Sequence, residues 1–343
     1  MKRYGNLYNN IISLENLRAA DVIARKGKGN QSGIREFDKD RQGNLVQLYN
    51  ELAAGTYRTS PYEHKIIYEP KEREISILPY RDRVVHHAIM LHTEQIWNAT
   101  FTAFTYSSIK GRGIHGAANA VKEALKDVAG TTYCLKLDIQ KFYPSIDHAI
   151  LKNIIKKKLK DVRLLNLLDG IIDSAPGLPI GNYLSATFSN LMLSPFDHWL
   201  KEDKSVGYCF RYADDIVILS GSKSYLHALL ADIRAYLQTE LKLTIKSNYQ
   251  VFPVAARGID FVGYVFYHTH VLLRKRIKQN YARMMYGNPR QASMASYNSW
   301  AKHCNSRHLQ KKLLHATIQR FGDNHKHIKQ KLQRRQDKNR AAA

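Results

Sequence analysis

Two adjacent aspartates, Asp214 and Asp215, lie between two strand-forming runs, and this feature constrains the fold more than any other. Aromatic residues alternate before the pair and an aliphatic run, 216–219, follows it, so the segment predicts a hairpin with acid at its tip. Neighbouring carboxylates repel each other unless a positive charge lies beside them, and a divalent cation is the simplest such charge. A polar turn without further function explains this segment equally well.

The net charge of the chain indicates the kind of partner. Its 343 residues include 53 Lys and Arg against 29 Asp and Glu, a formal charge of +24, which predicts a polyanionic partner. The 21 tyrosines interleave with the basic residues, and aromatic faces beside cations suit bases as well as phosphates. The sequence shows no signal peptide, no long basic amphipathic helix with a bulky apolar face to insert into a membrane, and no apolar run of roughly 20 residues. The sequence therefore predicts nucleic acid rather than membrane as the partner, and a cytoplasmic location.

A third carboxylate, Asp138, ends a predicted strand upstream of the hairpin. Apolar and polar residues alternate over 132–139, so the Asp138 carboxylate lies off the core face. If this strand neighbours the acidic hairpin in one sheet, the three aspartates converge. Such oxygen ligands hold two Mg²⁺ ions, which serve in-line phosphoryl displacement. With a polyanionic substrate, this arrangement predicts nucleotidyl transfer.

The remaining pattern mixes helices with antiparallel hairpins, which predicts an α+β fold. Apolar spacing predicts two helices within 7–52, a hairpin over 62–77 and a helix over 84–97 with Asp82 as its N-cap. Further along, the pattern predicts one long helical region over 148–172, helices over 186–200 and 223–241, strands over 243–253 and 259–267, and helices beyond 272.

The segment Gly111–Gly116 fits the G-x-G-x-x-G expression of dinucleotide sites. It lacks the strand that should precede it and the acidic residue about 20 positions further on, so we reject a dinucleotide site. Lys110 and Arg112, ahead of an alanine-rich helix, predict instead a loop that approaches a phosphate chain.

These blocks together resemble bacterial reverse transcriptases, over roughly Ser13 to Leu314. Tyr212–Asp215 matches the YADD motif, and Leu137–Ile139 followed by Phe142 and Tyr143 matches the other metal-binding block. The resemblance implies a right-hand polymerase with fingers, a palm of antiparallel sheet backed by helices, and a helical thumb. The implied limits are 1–130 for N-terminal helices and fingers, 131–267 for the palm with inserted fingers helices at about 148–205, 268–325 for the thumb, and 326–343 for a basic tail that we expect to need a partner for order.

The resemblance also implies a function for individual residues. Asp138, Asp214 and Asp215 carry catalysis and, with Ile139, hold two Mg²⁺ ions, or Mn²⁺ as an alternative. Tyr143 lies under the sugar and rejects a 2′-hydroxyl, which predicts deoxynucleotide use. The predicted dNTP-binding residues are Arg73, Lys71, Phe142, Tyr143, Ile180 and Gly181, and Lys246 is the predicted general acid for pyrophosphate. The predicted nucleic-acid contacts are Lys110, Arg112, Tyr212, Gly263, Tyr264, Arg274, Lys275 and Arg276.

Within the family, Ile180 and Ser185 resemble the diversity-generating retroelement branch. Group II intron enzymes usually carry Gln-Gly and Ser-Pro where this chain has Ile180-Gly181 and Ser185-Ala186, whereas the retroelement branch has an aliphatic residue and Ser-Gln. The segments 248–260 and 296–303 also resemble that branch. It implies a template RNA copied into cDNA from dNTPs and a primer, with frequent errors at template adenines, and a small basic accessory protein.

The sequence leaves two other functions open. An antiphage-defence or abortive-infection reverse transcriptase would have the same active site, and Ala186 in place of Gln keeps that alternative open. A nonenzymatic RNA-binding scaffold is disfavoured, because Asp138, Tyr143 and the aspartate pair are all intact.

Overall fold

The structure, a computed structural model, describes residues 2–68, 72–287, 290–321 and Asp337. Lys71 and the predicted basic tail, apart from Asp337, lie outside the described residues. The chain divides into two compact units. Unit 1 combines Met1–Gly113, Leu135–Ile218 and Ser224–Gln250, and unit 2 combines Ile114–Cys134, Leu219–Lys223 and Val251–Ala343. Within the described ranges, every helix is too short or too polar to cross a bilayer.

Four helices begin unit 1 where apolar spacing predicts two. They are α1 (Tyr8–Ile12), α2 (Leu14–Ala24), α3 (Ser32–Asp38) and α4 (Arg41–Ala54). The hydroxyl of Ser13 accepts a hydrogen bond from the Asn16 backbone and thereby caps α2. Asp40 caps α4 in the same way, and Gly55 ends it with a left-handed φ of 71°. These caps break the two predicted helices into four.

A hairpin and a long helix follow, as predicted, with one correction. The antiparallel strands are β1 (Glu63–Ile67) and β2 (Arg73–Ile77), and the helix is α5 (Tyr80–Asn98). The helix begins at Tyr80, with Pro79 in the cap position, so the prediction of Asp82 as the N-cap is wrong. The Asp82 carboxylate is instead buried in the first turn, where it accepts a hydrogen bond from the Tyr57 hydroxyl at 2.7 Å.

The predicted helical region 148–172 consists of two helices. The elements here are α6 (Gly113–Ala124), β3 (Tyr133–Asp138), a 3₁₀ turn (Tyr143–Ser145), α7 (His148–Lys156), α8 (Val162–Ile172) and α9 (Ser185–Glu202). The break occurs because Asp161 caps α8, its carboxylate accepting a hydrogen bond from the Leu164 backbone at 3.2 Å.

The four-stranded sheet carries the acidic hairpin. Its elements are β4 (Tyr208–Tyr212), β5 (Asp215–Ser220) and β6 (Gln250–Pro253), with α10 (Lys223–Glu240) between β5 and β6, and α11 (Val254–Arg257) after β6. The strand order β4-β5-β3-β6 confirms that the strand ending at Asp138 neighbours the acidic hairpin. Ile216, Val217 and Ile218 are all fully buried although alternate side chains point to opposite faces, so both faces of β5 are covered. The predicted strand 243–253 is regular only in β6.

The C-terminal part of unit 2, from Ile259 onward, begins with a three-stranded antiparallel sheet, and helices follow it. The strands are β7 (Ile259–Phe261), β8 (Tyr264–Phe266) and β9 (Val271–Leu273), and the helices are α12 (Lys275–Tyr286), α13 (Gln291–Ala301) and α14 (Arg307–Phe321). The predicted strand 259–267 is a hairpin because Gly263 makes a turn at φ 88°. Tyr281, Met285 and Leu313 form the core between α12 and α14.

Candidate active site

The tip of the β4–β5 hairpin presents its two carboxylates from a tight, unusual turn. Ala213 has a φ of 55°, a left-handed conformation that residues with a Cβ seldom adopt. Asp214 completes the turn and Asp215 begins β5. The backbone conformation of Ala213 therefore sets the positions from which the Asp214 and Asp215 side chains project.

The Asp214 carboxyl group is largely buried and lies beside Asp138. Burial raises the pKa of Asp214 above its ordinary value, and the negative charge of Asp138 raises that pKa further. The two residues meet because β3 and β5 are adjacent strands of the sheet. The structure thus brings together two of the three predicted catalytic aspartates, with Asp215 one residue further along.

Two lysines lie against these carboxylates. The Lys246 ammonium donates to Asp138 Oδ1, while the Lys246 backbone N–H donates to the Asp138 carbonyl at 2.8 Å. Lys136 Nζ lies 3.4 Å from Asp215 Oδ1. Both side chains of the Lys246–Asp138 pair are about a third exposed, at 36% and 35%, so water screens this attraction. The predicted function of Lys246 as a general acid stays a prediction.

The side chains at this site have the chemistry of a divalent-cation site. Carboxylate oxygens are the ligands that Mg²⁺ prefers, and the raised pKa of Asp214 reflects a crowding of negative charge that a cation would relieve. Two ammonium groups already lie beside these oxygens. Among the residues that the structure describes, however, no three His, Cys, Asp or Glu side chains are gathered as a metal cluster. Ile139, the fourth predicted ligand, is bridged to Ile245 through its backbone.

Tyr143 lies on the 3₁₀ turn that follows β3. Burial raises the pKa of Tyr143, a hydrogen bond from the Ser189 hydroxyl at 3.4 Å opposes that rise, and the negative charge of Asp214 adds to it. The adjacent Phe142 is buried and meets the Tyr143 ring edge-on, with ring centroids 5.7 Å apart. The ring is therefore held from two sides within electrostatic reach of Asp214.

The Ile180–Gly181 loop is joined to strand β2. The Ile180 carbonyl accepts a hydrogen bond from the Ser76 backbone at 2.7 Å. Gly181 has a φ of 114°, and a Cβ at this position would lie 2.5 Å from the Ser76 carbonyl oxygen. Only glycine permits this approach. The loop is thus fixed to the strand that begins at Arg73, whose side chain is exposed.

The basic loop before α6 has one exposed and one engaged side chain. Lys110 is exposed. Arg112 Nη1 donates to the carbonyls of Thr102 at 2.6 Å and Thr105 at 2.8 Å. Arg112 therefore organises its own loop, and its contact with nucleic acid stays a prediction, as does that of Tyr212 at the end of β4.

The remaining predicted nucleic-acid contacts lie in unit 2. A Cβ at Gly263 would lie 2.4 Å from the Trp300 ring. The Tyr264 side chain is fully buried, and its hydroxyl donates to the Trp300 carbonyl at 3.0 Å. A contact of Tyr264 with nucleic acid would therefore use its backbone. Arg274 Nε lies 2.5 Å from Asp260 Oδ1. Lys275 and Arg276 are exposed at the start of α12.

The sequence patterns missed Arg211, which is completely buried beside the acidic turn. It donates to the Ala213 carbonyl at 3.1 Å and forms an ion pair with Asp197. The available signal was an arginine between Phe210 and Tyr212 in a predicted strand, since a charge in such a run needs a buried partner.

Known proteins share sequence similarity with most of this chain. The family model described as reverse transcriptase (RNA-dependent DNA polymerase) matches residues 67–266. Protein YkfC of Escherichia coli K12 is 28% identical over 291 residues, covering 70% of this chain and 74% of YkfC. Nuclear intron maturase 4, mitochondrial, of Arabidopsis thaliana is 25% identical over 304 residues, covering 70% of this chain but only 36% of the maturase. The chain therefore spans about a third of that longer relative.

A solved structure supports the fold. Telomerase from Candida albicans, in complex with a fragment of telomeric RNA, superposes with a TM-score of 0.50 at 11% identity, covering 81% of this chain and 58% of the telomerase chain. The α+β right-hand polymerase fold is thereby confirmed. The family model matches more than half of the residues of this chain, which therefore belongs to the reverse transcriptase (RNA-dependent DNA polymerase) family.

Proposed function

We propose that this chain copies a template RNA into cDNA by nucleotidyl transfer from dNTPs onto a primer. The observation that supports this proposal is the meeting of Asp138, at the end of β3, with Asp214, in the turn just before the neighbouring strand β5, in a member of the reverse transcriptase family. The net charge of +24 supplies attraction for template and primer phosphates.

Each residue of the proposed site has a physical task. Asp138, Asp214 and Asp215, with the Ile139 backbone, would hold two Mg²⁺ ions, or Mn²⁺ in their place. Bound there, these ions would lower the pKa of the primer 3′-hydroxyl and neutralise charge on the nucleotide phosphates. Lys246 and Lys136 balance the carboxylate charge from the protein side.

Substrate selection is assigned to the residues around these aspartates. Tyr143 would lie against the sugar of the incoming nucleotide and leave no space for a 2′-hydroxyl. Arg73 would contact the triphosphate, because a guanidinium meets phosphate oxygens with paired donors and never loses its charge. The link from Ser76 to Ile180 places the loop against the strand that carries Arg73.

Primer extension tests this function directly. The assay combines purified protein, a 5′-labelled DNA primer on an RNA template, Mg²⁺ and dNTPs. The primer should be extended to the end of the template. Replacing dNTPs with rNTPs should yield little product. Absence of DNA product with both Mg²⁺ and Mn²⁺, while a reference polymerase extends the same primer, would contradict the proposal.

We further propose that this is the error-prone enzyme of a diversity-generating retroelement, working with a small basic accessory protein. The half-buried aliphatic side chain of Ile180 supports this, since a side-chain amide at this loop would supply a polar check on the geometry of the nascent base pair. The loop backbone is held by Ser76 and by the Gly181 contact whatever the side chain at 180. A change of the side chain at position 180 can therefore affect fidelity without moving the loop backbone.

Ile180→Gln is expected to lower misincorporation at template adenines by about fivefold, because one added hydrogen bond contributes on the order of 1 kcal/mol to discrimination. Deep sequencing of cDNA made from one defined RNA template measures the error at each base. Ile180→Leu is the matched control and should keep the wild-type error pattern. An unchanged adenine error rate in Ile180→Gln would contradict this function for Ile180.

An antiphage-defence enzyme with the same active site is the second candidate, because Ala186 departs from the retroelement pattern. This residue, in the first turn of α9, replaces the Gln expected of the retroelement branch. Sequencing the nucleic acid that copurifies with the protein separates the two. DNA copies of one template RNA that carry changes at its adenines support the retroelement. DNA that forms only in phage-infected cells supports defence.

A further inference from the structure

Arg211 places a fully buried positive charge three residues before Asp214. The exposed fraction of its side chain is 0%, and that of its partner Asp197 in α9 is 1%. Arg211 Nε lies 2.8 Å from Asp197 Oδ1, and Nη2 lies 2.5 Å from Oδ2. A buried ion pair of this kind seldom adds net stability over apolar side chains of similar size. Stability alone is therefore a weak reason for its presence here.

The remaining guanidinium donors all have acceptors. Nη2 also donates to the Thr105 hydroxyl at 3.1 Å, and that hydroxyl donates to Asp197 Oδ2 at 2.7 Å. Nη1 donates at 3.1 Å to both Asn190 Oδ1 and the backbone carbonyl of Ala213. Because all three nitrogens are engaged, the plane of the guanidinium has one orientation, and that orientation directs Nη1 at the acidic turn.

The backbone of Arg211 is anchored as firmly as its side chain. Its N–H donates to the Phe104 carbonyl at 2.8 Å, and its carbonyl accepts from the Tyr106 N–H at 3.0 Å. The arginine is thus fixed on the segment 104–106 and on α9. Through its bond to Ala213, it transmits that fixed position to the hairpin tip.

Ala213 is the residue of the turn that most needs such support. Its left-handed φ of 55° is a conformation that persists only when surrounding contacts hold it. The Ala213 carbonyl belongs to the peptide plane that also contains the Asp214 N–H, so a bond to that oxygen sets the direction in which Asp214 leaves the turn.

We propose that Arg211 is a positioning residue for the polymerase reaction, which holds the Ala213–Asp214 peptide so that the Asp214 carboxylate faces Asp138. The inference rests on the proposed function, in which Asp214 is catalytic. Arginine suits this task because its planar fork serves Asp197 and Ala213 at once. A lysine, with one nitrogen on a flexible chain, lacks that geometry.

Arg211→Lys tests the proposal, with Thr105→Val as the matched control. The lysine retains the charge opposite Asp197 but loses the fork, and kcat for extension of a primed RNA should fall about 10²-fold, as expected for a misplaced catalytic group. Kd for the primer–template should stay within about threefold, because the acidic turn contributes no positive charge to the binding of duplex phosphates. Thr105→Val removes a partner of the ion pair without touching Ala213, so its melting temperature should fall while kcat stays within about threefold.

Hydrogen–deuterium exchange supplies a readout that does not depend on activity. Amides 213–216 should exchange faster in Arg211→Lys than in wild type, and at the wild-type rate in Thr105→Val. If Arg211→Lys fails to fold, Asn190→Ala replaces it, because this variant removes one of the two acceptors that orient Nη1 toward Ala213 while leaving the Arg211–Asp197 pair. Its kcat should fall about tenfold and its hairpin amides should exchange faster.

The outcomes separate this inference from the proposed function. Near-normal kcat in folded Arg211→Lys, or in Asn190→Ala where the lysine variant does not fold, overturns the positioning function. The positioning function is also overturned if kcat falls together with the melting temperature in Thr105→Val, because Arg211 would then act through stability alone. If wild-type protein makes no DNA at all, the proposed function itself has failed.

Discussion

Asp214→Asn is expected to abolish DNA synthesis while the protein stays folded. The substitution preserves the size of the side chain and removes one carboxylate from the pair that would bind the cations. Lost cation-mediated stabilisation of several kcal/mol corresponds to a rate at least about 10³-fold lower, since each 1.36 kcal/mol is a factor of ten. Single-nucleotide extension on a primed RNA with saturating Mg²⁺ and dNTP measures this rate.

The same variant should be more stable than wild type in metal-free buffer. The pKa of Asp214 is raised in the folded protein, so folding disfavours its ionised form. The resulting loss of stability develops as pH rises from the unfolded pKa of about 3.9 through the raised folded value, and Asn does not share it. Asp214→Asn should therefore melt at a higher temperature than wild type at pH 8, and this advantage should shrink as the pH is lowered to about 4.

Asp232→Asn is the matched control, because Asp232 lies in a solvent-exposed ion pair with Lys204 Nζ at 2.7 Å. It should change neither the rate nor the melting temperature appreciably. DNA synthesis by Asp214→Asn near the wild-type rate would remove Asp214 from the catalytic centre. A lower melting temperature would mean that the carboxylate stabilises the fold instead of opposing it.

The acidic hairpin was predictable because its pattern is local. Alternating aromatic residues, two acids and an aliphatic run specify β4, a turn and β5 without knowledge of the rest of the chain. Asp138 was predictable for the same reason, and the neighbouring order of β3 and β5 brings it to the hairpin. The fold class followed from the alternation of such local patterns.

Helix boundaries were less predictable, since single hydrogen bonds decide them. Ser13 and Asp161 each cap a helix within a stretch whose apolar spacing is continuous. Apolar spacing reports which face of a helix is buried, whereas a cap adds about 1 kcal/mol at one position and can begin a new helix there. The Gly263 turn divided a predicted strand by the same kind of local choice.

Long-range charge pairing was outside the reach of sequence patterns. Arg211 meets Thr105 and Asp197, which lie 106 and 14 positions away along the chain. Lys246 was predicted near the active site from a resemblance, but its pairing with Asp138 across 108 positions depends on the fold. Such contacts require knowing which strands and helices are neighbours, and this information is distributed over the whole of unit 1.

Tyr143→Ala is expected to let the enzyme incorporate ribonucleotides. Removing the ring opens the space that a 2′-hydroxyl would occupy, and discrimination between dNTP and rNTP, measured as the ratio of kcat/KM values, should fall about 10²-fold. The change should act mainly through rNTP use, because Phe142 remains buried beside the turn and Asp214 keeps its position. Single-nucleotide extension with each matched dNTP and rNTP measures both ratios.

Tyr143→Phe separates the ring from its hydroxyl. The hydrogen bond from Ser189 to the Tyr143 hydroxyl is long, at 3.4 Å, so its loss should cost little, and the intact ring should keep discrimination near the wild-type value. If Tyr143→Phe loses discrimination as fully as Tyr143→Ala, a polar contact of the hydroxyl, and not the bulk of the ring, selects the sugar. If neither variant incorporates ribonucleotides, sugar selection does not depend on Tyr143.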